Sequence, residues 1–272
     1  MTAINSVTDL TLDGDVAVIT LNSPPVNALS ANVREGLFEG FKAAIADPAA
    51  KSIVLICEGR TFIAGADITE FGGAMKGPSL QDVQDTMENS PKPVVAAIHG
   101  TALGGGLEVA LVANYRVGVP SARFGLPEVN LGLLPGAGGT QRLPRVAGPE
   151  KALEMMTSGR HAPAKEALAM GLIDELVEEG KLKEGAIAFA RKAVAEGRPL
   201  VKVRDNNTKV EAARGKPEIF ADFRKANARK FRGFLAPEYN IRCIEAAVNL
   251  PFAEGLAVER KLFGELMTGS QS

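Results

Sequence analysis

The sequence predicts an α/β protein: a core over residues 1–200 in which short strands alternate with helices, then a helical region over residues 201–272. Three observations carry this prediction. Short apolar runs recur in the first half, and each stops at glycine, proline or a charged residue. The segments between them place apolar residues at helical spacing. Beyond about residue 150 the runs give way to stretches rich in Lys, Arg and Ala with a helical period.

The elements follow in order. Val16–Leu21 reads as a buried strand that ends before Pro24 and Pro25. Ala31–Ala46 reads as a helix, with Ser30 as N-cap and Leu37, Phe41 and Ile45 on one face. Residues 53–57 form the next strand and stop at Glu58-Gly59. The glycine-containing stretch 71–80 reads as mobile, and residues 80–90 as a helix that stops before Pro91. Val94–Ile98 is a strand that leads into a glycine run, residues 107–114 a helix, and 116–119 a short strand. Helices are then expected over 151–157, 164–170, 183–196, 205–214, 219–231, 239–250 and 254–267.

Composition narrows the function classes. At 46% hydrophobic and 23% charged residues the chain can bury a sizeable core, and a net charge of -1 gives no whole-chain footprint for nucleic acid. The Lys/Arg-rich segment 214–232 is the one local exception, and its Phe220, Phe223 and Phe231 read as core residues. Cys57 and Cys243 lie far apart in no metal-like spacing, and Cys57, in an apolar run, reads as a buried thiol, which points to a reducing compartment and a cytoplasmic location. The segment 1–5 has no signal-peptide pattern, and no apolar stretch is long enough for a bilayer, so no membrane partner is expected. His99 and His161 have no second ligand at metal spacing, so no metal is expected. No nucleophile elbow, dinucleotide fingerprint or phosphate loop occurs, which leaves metal-free acid–base chemistry.

Two carboxylates stand out against glycine and apolar residues. Gly104-Gly105-Gly106 follows a strand and opens a helix. Free N–H groups at a helix start can stabilise an oxyanion, and a tight turn needing small residues explains the same triplet. Glu108, in the first turn of that helix, is either a helix-dipole partner or a buried general base that the dipole biases toward carboxylate. Glu128 sits in Phe124-Gly125-Leu126-Pro127-Glu128, either as a loop charge or as an acid whose apolar neighbours favour the protonated form. Phe62–Ile68 offers a second backbone donor near Gly65, or a turn capped by Asp67. The stretch 135–140 reads as a flexible loop that shapes a pocket wall or only turns the chain.

Taken together, Phe62–Ile68, Ala97–Glu108, Phe124–Gly132 and Leu134–Leu143 resemble the enoyl-CoA hydratase/isomerase (crotonase) superfamily, with the resemblance covering at least residues 10–180. The stretches 233–238 and 259–263 are similar to the front part of multifunctional β-oxidation enzymes. The resemblance implies a spiral of ββα units with a C-terminal helical region. It also implies an acyl-CoA thioester substrate, no cofactor beyond the CoA that the substrate carries, and either a homo-oligomer or the front part of a longer chain. By the same resemblance, the N–H groups of Ala66 and Gly105 hold the thioester carbonyl. Glu108 activates water for attack at Cβ, Glu128 supplies the proton at Cα, and Gly136 helps place the water. Main chain from Ala64 through Ala66, Asp67 and Ile68 lines the CoA path, and Met75 or Met87 is expected to set pocket depth. Both glutamates are present, which is the hydratase pattern. Many dedicated Δ3,Δ2-enoyl-CoA isomerases keep only the equivalent of Glu128. The implied activity is therefore hydration of trans-2-enoyl-CoA, with an isomerase as the alternative and a non-catalytic CoA- or RNA-binding module as a third reading.

Overall fold

A computed structural model describes residues 1–70, 73–269 and 271, and the Ile68 side chain is outside the description. Two sheets organise the molecule. The larger begins with β1 (Thr2–Asn5), β2 (Thr8–Asp13) and β3 (Val16–Leu21), paired antiparallel. Helix α1 (Ala31–Ala46) follows, with the Ser30 hydroxyl accepting the Val33 N–H as its cap. Next come β4 (Ser52–Cys57), α2 (Leu80–Glu88) and β5 (Val94–Ile98), then β6 (Thr101–Leu103), α3 (Gly105–Ala110), β7 (Tyr115–Gly118) and β8 (Arg123–Gly125). The chain continues with α4 (Gly139–Ala147), α5 (Pro149–Ser158), β9 (Ala162–Pro163), α6 (Ala164–Met170), β10 (Glu175–Leu176) and α7 (Leu182–Ala195). Helices α8 (Thr208–Ala213), α9 (Glu218–Phe231), α10 (Leu235–Asn249) and α11 (Phe252–Met267) complete it.

Strands β3, β4, β5, β7 and β10 run parallel, and every residue of β4 and β5 is buried. A strand covered on both faces needs a continuous apolar run, and Ile53-Val54-Leu55-Ile56 and Val94-Val95-Ala96-Ala97 are such runs. The smaller sheet is β6, β8 and β9. Each turn of chain gives one strand to the large sheet, one extended piece to the small sheet, and then a helix. β5–β6–α3 is one turn, and β7–β8 followed by the 3-10 turn Pro127–Leu131 is the next. Two earlier turns contribute single parallel bridges to the small sheet, Leu29↔Ala66 and Ala64↔Leu103. This is the expected spiral of ββα units.

The helices past residue 200 share the main core through Phe220, Ile241, Ile244 and Val248. A smaller cluster joins Leu133 and Leu134 to Ala236, Cys243, Leu262 and Leu266, so α10 and α11 close over the 133–134 segment.

Several expectations change in detail. The helix expected over 107–114 is the short Gly105–Ala110, and the one over 205–214 divides into a 3-10 turn at Val203–Asp205 and α8. Residues 135–140 are not only a loop, because α4 starts at Gly139 and runs through Pro144. Three glycines and two prolines around that start hid it from a reading by period. Phe71 and Gly72, in the stretch read as mobile, lie outside the described residues. The end of that stretch is tied down: the buried Arg34 guanidinium donates to the Lys76 and Pro78 carbonyls and pairs with Glu70 at 2.7 Å.

Candidate active site

The small sheet positions the site, because its extended pieces end at the same level in successive turns. One turn delivers Ala66, the next Gly105 and Glu108, and the one after that Glu128. Ala64, Ala66, Gly105, Glu108, Glu128 and Gly136 all line one cavity of about 550 Å³, which α2 and α11 close from the other side. Residues far apart in sequence thus converge on one cavity.

The backbone donors are set by close packing. A Cβ on Gly106 would lie 1.9 Å from the Ile63 carbonyl oxygen, so only glycine lets α3 approach the 63–66 segment this closely. A Cβ on Gly105 would meet Leu29 Cδ1 at 2.8 Å and the Ala66 nitrogen at 3.8 Å, which places the two backbones side by side. Gly105 opens α3, so its N–H has no partner inside the helix. Leu29 N–H donates to the Gly65 carbonyl, so that pairing runs past Ala66. Two amides thus stand together at the cavity wall, as an oxyanion site requires.

Glu108 is 3% exposed. Its Oε2 accepts the N–H groups of Ala137 at 2.7 Å and Gly139 at 2.8 Å. Gln84 braces the same arrangement, its amide donating to the Glu108 and Ala137 carbonyls. Burial, together with the nearby Glu128 and Glu259 carboxylates, pushes the Glu108 carboxyl well above its ordinary range, while the two N–H bonds oppose that shift. The expectation that the start of α3 biases Glu108 toward carboxylate is therefore corrected. A helix of six residues has little dipole to offer, and the donors that favour the anion are Ala137, in the turn before α4, and Gly139, its first residue.

Glu128 begins the 3-10 turn after β8, held against the glycine run where a Cβ on Gly104 would come within 3.4 Å of Oε2. Its Oε1 is buried and has no hydrogen-bond partner among the described residues. Burial pushes its carboxyl up to about 7. A third glutamate, Glu259 of α11, lines the same cavity at 2% exposure, also pushed up to about 7 by burial. The sequence reading missed it, although the signal was there. Phe252, Gly255, Glu259, Leu262 and Leu266 make the buried stripe of α11, and a lone carboxylate on such a stripe needs a partner.

These raised carboxyls predict a pH dependence of stability. Between 4.5, the ordinary value, and about 7, the folded protein keeps protons on Glu128 and Glu259 that the unfolded chain has released. Stability therefore falls as pH rises through that window, and the raised Glu108 carboxyl adds to the fall. Urea denaturation across the window checks this, and Glu128→Gln should flatten part of the decline. A stability that rises from about pH 5 to 7 would contradict the assignment.

Other expected residues lie elsewhere. The Asp67 side chain caps the turn Ile68–Glu70 by accepting the Thr69 N–H and hydroxyl, and it does not line the cavity. Met75 lies on the cavity rim at 69% exposure, whereas Met87 is buried in the core. His99 holds the Gly59 carbonyl through Nε2 at 2.8 Å. Both cysteines are buried and free, and burial raises their thiols. In the basic segment, Phe220 is buried, the rings of Phe223 and Phe231 pack 6.0 Å apart against the core, and Arg224 is held by Glu238 and Glu245. No helix among the described residues is long and apolar enough to cross a membrane.

The fold and this cavity define a crotonase-fold protein, and comparison with known proteins agrees. The enoyl-CoA hydratase/isomerase family model matches residues 11–232. A peroxisomal bifunctional enzyme of Danio rerio is 45% identical over 259 residues, covering 94% of this chain and 35% of its own length. A probable enoyl-CoA hydratase of Bacillus subtilis (strain 168) is 45% identical over 197 residues, covering 68% of this chain and 76% of its own. An enoyl-CoA hydratase subunit I structure from Geobacillus kaustophilus HTA426 superposes with a TM-score of 0.64 at 29% identity, covering 98% of this chain and 92% of that one. The chain belongs to the enoyl-CoA hydratase/isomerase family. It spans about a third of the length of the bifunctional relatives it matches.

Proposed function

We propose that the protein catalyses reversible addition of water to trans-2-enoyl-CoA, giving 3-hydroxyacyl-CoA. The observation that carries this reading is one cavity lined by the Ala66 and Gly105 main chain and by Glu108 and Glu128, two glutamates of different surroundings. The thioester carbonyl accepts hydrogen bonds from the Ala66 and Gly105 N–H groups, which strengthen as negative charge develops on the oxygen. Water lies between Glu108 and Cβ, with the Gly136 main chain beside it. Glu108 takes a proton as the water oxygen bonds to Cβ. The double-bond electrons move into an enolate, and Glu128 delivers a proton to Cα. One proton leaves Glu128 and one arrives on Glu108, so the pair exchanges a proton before the next turnover and titrates as a unit.

Two features favour this division of roles. The paired N–H bonds on Glu108 Oε2 aim that oxygen and oppose the rise that burial imposes on its carboxyl, as a base requires. The Oε1 of Glu128, without a partner among the described residues and on a carboxyl pushed up to about 7, suits a proton donor at neutral pH. The reaction needs no cofactor beyond the CoA of the substrate. A second activity, conjugation of 3-enoyl-CoA, follows from the same near-neutral carboxyl of Glu128, which can take a proton from one carbon and return it to another.

Loss of the conjugated thioester absorbance of a trans-2-enoyl-CoA series, with the 3-hydroxyacyl product identified by mass, tests the proposal. Turnover is expected without added metal or nucleotide. No hydration at any chain length, with acyl-CoA still bound, would overturn it in favour of a binding module, and conjugation without hydration would favour the isomerase.

A further inference from the structure

The turn Ala137–Gly138–Gly139–Thr140 is held by two carboxylates in strict alternation. Ala137 and Gly139 give their N–H groups to Glu108, whereas Gly138 gives its own to Glu259 Oε2 at 2.9 Å. Thr140 gives both its N–H, at 3.2 Å, and its hydroxyl, at 2.6 Å, to Glu259 Oε1. Gly138 has φ +87°, a left-handed conformation that turns successive amides to opposite sides. A Cβ on Gly139 would lie 3.0 Å from Glu108 Oε2, so the turn is built around that oxygen. Glu259 stands on α11, more than a hundred residues from the turn it holds.

A buried carboxylate on an apolar helix face is costly unless its bonds do something that an apolar side chain would not. Among the described residues, the side-chain hydrogen bonds of Glu259 all go to this one turn. We propose that Glu259 is a positioning residue for Glu108: by holding Gly138 and Thr140, it fixes the Ala137 and Gly139 amides that aim and charge the base, so that the C-terminal helix α11 completes a site whose chemistry lies in the spiral. The inference rests on the hydratase reading for its kinetic consequence. Its structural half stands apart from that reading.

The test is a double-mutant cycle with Glu259→Gln and Glu108→Gln, joined to amide hydrogen exchange. Glu259→Gln keeps the shape and one acceptor. It is expected to lower kcat by up to about 100-fold, the scale of a small misplacement of a catalytic group, with KM changed less than about threefold. In the Glu108→Gln background the same substitution is expected to change kcat less than about twofold, because a residue acting through Glu108 has nothing left to act on. Exchange at the Ala137 and Gly139 amides, which Glu108 and not Glu259 accepts, should quicken in Glu259→Gln. Independent, multiplying effects in the cycle, or unchanged exchange at those two amides, would each overturn the proposal. If Glu259→Gln does not fold, Thr140→Val removes one bond of the same carboxylate and carries the same cycle. A wild-type protein that hydrates nothing would sink the hydratase reading alone, since the exchange experiment still decides whether Glu259 holds the amides of Glu108.

Discussion

Replacing Glu128 or Glu108 by glutamine is expected to lower kcat for hydration by about 10²- to 10⁴-fold, the range that positioned acids and bases contribute, with KM within a few-fold of wild type. The two substitutions should leave the fold intact for different reasons. Glutamine at 108 keeps a carbonyl oxygen able to accept the Ala137 and Gly139 N–H groups, so the turn it holds survives while the base is lost. At 128 burial already pushes the carboxyl up to about 7, so it carries a proton part of the time at neutral pH, and its Oε1 has no partner among the described residues, so an amide breaks no hydrogen bond of that oxygen. Steady-state kinetics on a trans-2-enoyl-CoA, with thermal unfolding as the check on folding, measures both. Near-wild-type turnover in either variant would remove that carboxylate from the mechanism. The pair also separates the two activities: with a 3-enoyl-CoA, Glu108→Gln should retain conjugation and Glu128→Gln should lose it.

Gly106→Ala is expected to damage both stability and catalysis. Alanine is the better helix former by about 1 kcal/mol, so intrinsic propensity alone would predict a gain. Steric contact reverses the sign. The new Cβ would sit 1.9 Å from the Ile63 carbonyl oxygen and 2.6 Å from its carbon, and a backbone obstacle cannot rotate away. Overpacking of this kind typically costs about 1–3 kcal/mol and forces backbones apart. Here the separation falls between α3 and the 63–66 segment, so the Gly105 and Ala66 amides would no longer address one oxygen. Loss of one such donor costs about 3–4 kcal/mol of transition-state stabilisation, or 10²- to 10³-fold in kcat. Gly264→Ala is the control, because it lies in α11 with nothing within 4 Å of its Cβ position and should be neutral or slightly stabilising. Denaturation midpoints and kcat for the two variants decide the matter. An active, stable Gly106→Ala protein would show that the two backbones do not meet as described.

The legible parts of this protein were those whose cause is local. Val94–Ile98 is a continuous apolar run because it lies inside the parallel part of the sheet, Val16–Leu21 is apolar but for the half-buried Thr20, and α1 begins where Ser30 can cap it. The weak elements were not legible. β6, β8, β9 and β10 are two or three residues long, too short for any period, and the sheet rather than their own sequence holds them extended. α4 was hidden because its N-cap and first residue are glycine and its interior contains Pro144.

By itself the sequence determined the α/β class, the alternation of strands and helices, and the residue types a proton-transfer site would use, since apolar period, capping and glycine tolerance are properties of neighbouring residues. Only the tertiary structure decided which of those residues meet. The level at which successive turns end their small-sheet strands brings Ala66, Gly105, Glu108 and Glu128 to one cavity. The packing of α11 adds Glu259 from far along the chain. Proton affinity was decided there too. A local reading gave Glu108 to the dipole of its own short helix, but burial, the two neighbouring carboxylates and the amides of the turn that leads into α4 govern it. Desolvation and through-space charge depend on what surrounds a group in three dimensions, and sequence adjacency does not encode that.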